Sequence, residues 1–272
     1  PRPKLKGAHD PYLLRFGRAG DAKAPSGAPS DVRAAIGEAL AWLVAHQEPD
    51  GRWCAVASTV CDAHAGEPCE LKGQFGHDAG LTGLALLALM ADGHTPRTGA
   101  YAPQVARAVR WLARVQDASG FLQTVYIENG QRFVRHDATI GHAIATLALC
   151  EAYALSGAAA IASTAERALA ALAAARNPYS AWRYGQRPTG DNDTFVTAWA
   201  LLALVAADEL ELKCDRDGLV GGLAWIDEVT DPATGRVGYD SIGSPSTRYA
   251  KVNDHFSRDG VETITAAALY CR

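Results

Sequence analysis

The chain has 272 residues, a hydrophobic content of 48% and a formal net charge of −4. This length buries a substantial core in one or two domains, and the charge excludes a chain-wide basic footprint for nucleic acid. The longest apolar run, Phe195 to Ala207, is shorter than the roughly 18–20 residues that a transmembrane helix needs, and the N-terminus lacks the apolar stretch of a signal peptide.

In chain order, residues 1–30 come first. They carry six Lys or Arg (Arg2, Lys4, Lys6, Arg15, Arg18, Lys23) against two Asp, among many Gly, Pro and Ala. That composition reads as a basic, flexible arm or linker. From residue 31 onward one line recurs four times: an amphipathic helix, a turn with Gly or Pro, then an apolar helix opening near an Asp. The first copy predicts helices over 31–47 and 78–92, with Asp31 as an N-cap. The second predicts 103–116 and 137–156, with Pro103 in a first helical turn. The third predicts 160–176 and 193–210, the fourth 216–229 and 259–272.

The first helix of each copy has one wet face, as Ile36, Leu40, Leu43 and Val44 show by their spacing of three and four. The second is apolar almost all round, as in Leu81 to Met90, and such a helix is buried on all sides. Wet-faced helices outside and apolar helices inside, repeated, give two concentric layers. The expected fold is all-α: a partial α/α toroid of about four helix pairs over 31–272. The connection between the second pair's helices alternates over Phe121–Tyr126 and Gln131–Arg135 around Asn129-Gly130, which reads as a small β-hairpin insertion.

Cys54, Cys61 and Cys69 cluster between the first two helices with His64 and His77, without a Cys-x-x-Cys pair. A Cys61–Cys69 disulfide implies an exported protein and free thiols a cytoplasmic one, so the compartment stays open. Cys150 and Cys271 lie on apolar helix faces and read as small core residues.

The turn Gln47-Glu48-Pro49-Asp50-Gly51-Arg52-Trp53 and its degenerate copy at Gln116, Gly120 and Phe121 resemble the prenyltransferase and squalene-oxidase repeat. This is the repeat of terpenoid cyclases and protein prenyltransferases, and the resemblance covers about residues 31–272. It implies an α/α toroid around an apolar cavity for isoprenoid chains. It does not bring the family's chemistry with it. Aligned on Thr194, the cyclase Asp-x-Asp-Asp-Thr-Ala motif meets Gly190-Asp191-Asn192-Asp193-Thr194-Phe195. Asn192 then stands where the proton donor should be, and an amide cannot protonate an alkene. A shifted register would leave Asp191 and Asp193 as the pair. The prenyltransferase zinc ligands meet Asp217-Gly218-Leu219 and Glu262, where two of three ligand types are missing.

Asp78, Asp137, Asp193 and Asp259 occupy one position in the four sequence copies. Asp caps helix starts, which is one reading. The other is a rim around one mouth of the toroid, joined by His77, His136, His142 and His255. On that reading Asp193, Asp191, Asp137 and His136 are acid/base candidates. Asp78, His77, His142, Asp259 and His255, with Trp199 and Phe195 on the apolar helices, are ligand-binding candidates. No cofactor is expected; His77, Asp78, His136 and Asp137 are weak metal candidates. Trp42, Trp111 and Trp225 recur at one outer-helix position and read as inter-repeat packing. Three functions follow: an apolar-ligand binder without the standard acid or zinc site, an enzyme with a rewired Asp/His site, or a protein-interaction scaffold. The last apolar helix stops at Arg272 with its inner face uncovered, which leads to the expectation that more chain or another chain covers that end.

Overall fold

The computed structural model describes residues 29–56, 60, 73, 75–123, 125–128, 131–134, 138–178, 180–245 and 262–272. Within them the chain forms eight helices. In order they are α1 (Ser30–Ala45) with α2 (Asp78–Ala91), α3 (Ala102–Val115) with α4 (Thr139–Ser156), α5 (Ala159–Ala175) with α6 (Thr194–Glu209), and α7 (Arg216–Glu228) with α8 (Thr263–Cys271). Two short strands, β1 (Val125–Glu128) and β2 (Gln131–Val134), pair antiparallel between α3 and α4, Val125 opposite Val134. Two expectations need correction. Helix α1 starts at Ser30 with no side-chain cap, so Asp31 lies in the first turn, where its charge still meets the helix dipole. Helix α8 starts at Thr263 rather than 259. Gly260, next to that expected start, is a poor residue for a first helical turn.

The helices form two layers. The inner helices α2, α4, α6 and α8 lie side by side in chain order. Each outer helix after the first packs chiefly on the inner helix of the preceding pair: α3 on α2, α5 on α4, α7 on α6. Contact with the inner helix of its own pair is slight. The core lies between the layers. Helix α3 shows how: Val105, Ala108, Val109 and Leu112 are buried at spacings of three, four and seven, facing fully buried Leu86 and Leu89 of α2. Inner helices approach closely. A Cβ on Gly80 would stand 2.9 Å from the Cα of Gly141. Ala79, Ala85, Ala143, Ala145 and Ala200 are all buried, so the small residues of this layer serve close helix packing.

The turns stitch each pair to the next. Gln47 Nε2 donates to Gly51 O (3.0 Å) in its own turn and to Gln104 O (2.9 Å) on α3. Gln116 repeats this with Gly120 O and Thr164 O, both at 3.0 Å. In the third pair Arg176 takes the position, its Nε 2.8 Å from Asp215 Oδ2 at the start of α7. Six residues past each of these, a backbone N–H enters the inner layer. Trp53 N donates to Thr82 Oγ1, Leu122 N to His142 Nδ1 and Trp182 N to Thr197 Oγ1. Val237 N donates to Thr265 Oγ1 in the fourth pair. Trp53 and Trp182 also close their own outer helices, each Nε1 donating to a carbonyl at 2.8 Å. Leu122, not Phe121, thus holds the place of Trp53 in the second turn.

Candidate functional site

Those four acceptors reset the register of the expected rim. Counting back four residues from Thr82, His142, Thr197 and Thr265 gives Asp78, Ala138, Asp193 and Val261. In this register Asp137 and Asp259 stand one and two sequence positions from the places equivalent to Asp78 and Asp193. The His-Asp dipeptides suggested otherwise because the turn lengths that set the register are invisible in a local match. His136, Asp137, His255 and Asp259 lie outside the described residues, as do Cys61, His64 and Cys69.

The two Asp in register behave differently. Asp78 is buried in the first turn of α2. Its Oδ1 accepts from Ala55 N at 2.9 Å, and its Oδ2 is 3.4 Å from Arg52 Nη1. Burial still pushes its pKa up, against the Ala55 amide and the Arg52 charge. His77 is the residue before α2. Asp193 is the N-cap of α6, its Oδ1 accepting from Val196 N at 2.7 Å. Its Oδ2 is fully buried without a hydrogen bond. Burial raises this carboxyl to about 6, partly offset by the Val196 amide, Arg183 and the Tyr239 hydroxyl. That hydroxyl donates instead to Tyr184 Oη, at 3.2 Å. Asp193 carries two features of an acid/base group: a raised pKa and an unsatisfied oxygen. It is also a helix cap, and the geometry holds both roles at once.

The raised value has a sign. A carboxyl that favours its proton in the folded state contributes stability fully below pH 3.8, and loses it as pH rises through about 6. Asn caps a helix as well as Asp does. Asp193→Asn is therefore expected to remove about 2–3 kcal/mol of the stability lost between pH 4 and pH 7. Urea midpoints for both proteins at the two pH values check this.

The remaining candidates separate. Asp191 is exposed, its carbonyl accepting from Asn177 Nδ2 at 2.7 Å. Asn192 is held in the turn, its Oδ1 accepting from Asn177 Nδ2 and its Nδ2 donating to Ser180 Oγ, both 2.7 Å. It is a turn-building amide. His142, expected at the mouth, is fully buried between the layers. Its Nδ1 accepts from Leu122 N and its Nε2 donates to Ala168 O, each at 3.0 Å. Phe121 stacks on the ring at 4.1 Å. Both ring nitrogens are occupied and no surface remains for a ligand. Burial lowers its pKa to about 4. Phe195 and Trp199 share one stripe of α6 with Leu202, all half-buried, and exposed Val205 lies beside it. On α2, exposed Leu84 and half-buried Leu87 stand in register with Trp199 and Leu202, and exposed Leu81 lies beside them. On α4, Ile140 is half-buried. Neighbouring helices and the outer layer cover the other sides of these helices, so the stripes form an apolar inner face.

Of the recurring tryptophans, Trp111 and Trp225 are 3% and 8% exposed, but Trp42 is 57% exposed. Trp42 stacks on His46 of its own helix, centroids 4.0 Å apart. Inter-repeat packing holds for the first two and fails for Trp42, because no described helix precedes α1. Trp182, fully buried, was the tryptophan missed; its signal was a position six residues past Arg176.

Among the described residues no three His, Cys, Asp or Glu gather as metal ligands, and no helix is long and apolar enough to cross a membrane. Cys54, Cys150, Cys214 and Cys271 form no disulfide, and Cys150 is fully buried.

Residues 24–152 match the family model described as the squalene-hopene cyclase C-terminal domain. No curated protein matches the chain in sequence. Among solved structures the chain is similar to a GH76 alpha-mannanase of Bacteroides thetaiotaomicron, studied as a selenomethionine derivative, with a TM-score of 0.52 and 13% identity. The match covers 91% of this chain and 63% of that one. At that identity the likeness is one of fold alone. Read with the helix pairs and their stitched turns, these matches support an α/α toroid fold, in which residues 24–152 are similar to the squalene-hopene cyclase C-terminal domain.

Proposed function

We propose that the inner face of the helix layer binds an elongated apolar ligand of isoprenoid type, without the standard cyclase acid or prenyltransferase zinc site. One observation carries this reading. Leu81, Leu84, Phe195, Trp199, Leu202 and Val205 remain half-buried or exposed on inner helices whose other sides bury Leu86, Leu89, Leu201 and Leu204 completely. An apolar wall left open to water is a binding surface by default, and the aromatic rings supply flat contact area. Asn192, fixed by two side-chain hydrogen bonds in its turn, does not offer a proton. Leu219 stands where the zinc thiolate would be. Titration with a fluorescent prenyl alcohol tests the reading. Leu84→Glu is expected to weaken binding about tenfold or more, because ligand burial would strip water from the new carboxylate. No saturable binding by the wild-type protein, or equal binding by Leu84→Glu, would overturn it.

The buried, unpaired Oδ2 of Asp193 supports a second reading, an enzyme with a rewired acid at the N-terminal end of α6. Asp193→Asn separates the two. Product formation from a bound prenyl substrate that vanishes in this variant, with binding retained, supports the enzyme. Unchanged conversion rules out Asp193 as its acid.

A further inference from the structure

The apolar inner face has a charged end. Counted from the acceptors Thr82, His142 and Thr197, helices α2, α4 and α6 set equivalent residues side by side as rungs. Two residues past the acceptor the rung is Leu84, Ile144 and Trp199, and five residues past it Leu87, Leu147 and Leu202. Leu84 is exposed, and Leu87, Trp199 and Leu202 are half-buried. Ile144 and Leu147, at 7% and 8%, are the least covered of the apolar residues that α4 buries. Nine residues past the acceptor the rung changes character: it is Ala91, Glu151 and Ala206. Glu151 and Ala206 are half-buried and Ala91 is exposed.

Glu151 is thus the only charged side chain in the three rungs. It stands on the middle helix of the three, seven residues and about 10 Å beyond the rung of Trp199. Helix α4 has an inner helix on either side, α2 and α6, so its place in the wall does not depend on the first or last helix of the array. The side chains that flank Glu151 in its rung end at Cβ, which leaves room beside the carboxylate for a head group.

Two physical effects select the charge of that head group. Helix α2 ends at Ala91, and α6 ends at Glu209, within a turn of Ala206. The carbonyl ends of helices carry partial negative charge, which favours a cation and disfavours an anion. The second effect is desolvation. A chain lying on the rungs of Trp199 and Leu202 excludes water from the end where Glu151 stands. A neutral or anionic head supplies nothing in exchange for the water that the carboxylate loses, whereas an ammonium supplies both opposite charge and N–H donors.

Resting on the apolar-ligand reading of this face, we infer that its ligand is an amphiphilic amine, the apolar chain on the rungs of Trp199 and Leu202 and the protonated amine against Glu151. Calorimetric titration of the full chain at pH 7 with farnesol, farnesylamine and farnesoic acid tests this. Farnesylamine is expected to bind about tenfold tighter than farnesol, and farnesoic acid weakest. Glu151→Gln, which keeps the shape of the side chain, is expected to bring the amine down to the level of the alcohol and leave the alcohol unchanged. The ranking in the wild-type protein decides by itself. Farnesol binding as tightly as farnesylamine, or farnesoic acid binding tightest, overturns the inference while the apolar-ligand reading stands. Saturable binding of none of the three overturns both. An amine preference that survives in folded Glu151→Gln also overturns the inference, because the cation would then sit elsewhere, for example on the Trp199 ring.

Discussion

Gly120→Ala is expected to destabilise the domain by about 3 kcal/mol or more, most of it from the stitch between two helix pairs. Gly120 sits at φ +92°, and a Cβ there would stand 2.2 Å from the carbonyl oxygen of Arg167 on α5. The close approach is required, because Gln116 reaches Gly120 O and Thr164 O with the same amide nitrogen. A methyl group therefore forces the turn off α5 and breaks that bridge. Gly51 repeats the arrangement at φ +105°, 2.5 Å from Arg107 O. Gly190 is the control: its φ is +91°, but nothing lies within 4 Å of its built Cβ. Gly190→Ala is expected to lose only the backbone strain, about 1 kcal/mol. Guanidinium denaturation of the two variants side by side checks the argument. Equal losses would mean that strain, not contact between pairs, sets the effect.

His142→Ala is expected to produce a loss of about 3–5 kcal/mol. The ring fills a fully buried site, accepts from Leu122 N and donates to Ala168 O, so truncation leaves a cavity and two unsatisfied backbone groups. In the wild-type protein this residue also adds a pH dependence. Its folded pKa of about 4 lies below the ordinary 6.5, so the native state favours the neutral ring. That contribution is present above pH 6.5 and is lost as pH falls towards 4. It runs opposite to the contribution of Asp193, and the two variants separate them. Asp193→Asn flattens the decline towards neutral pH. His142→Ala removes the rise from pH 4 to pH 6.5, measured by thermal melts across that range. A His142→Ala protein whose stability follows the wild-type pH curve would show that the ring titrates normally.

Which residues become helices was legible because helix formation answers to local chemistry. Ile36, Leu40, Leu43 and Val44 announced a wet-faced helix, and Leu81 to Met90 a buried one. Seven of the eight helix starts fell within two residues of expectation. The repeat was legible for the same reason, since Gln47 and Gly51 recur at Gln116 and Gly120, although the sequence match set Phe121 against Trp53 where the structure sets Leu122. The candidate site was legible only in part. Phe195 and Trp199 were readable as inner-face residues from the apolar periodicity of their helix. Asp193 was readable as a cap, but the burial of its Oδ2 depends on tertiary packing, which no local pattern encodes.

The sequence by itself determined the helix pairs and their two-layer order. Each of these depends on side-chain type and on spacing within a single helix or turn. Only the tertiary structure decided the register between pairs, and with it which acidic residues are equivalent. It placed Ala138 where a sequence match offers Asp137. It buried His142 as a backbone partner rather than a rim residue, and it left Trp42 bare while covering Trp111. The physical reason is common to all three. A side chain's role here depends on what the neighbouring pair sets against it, and that neighbour is fixed by turn lengths and close backbone approach across some 50–60 residues of chain.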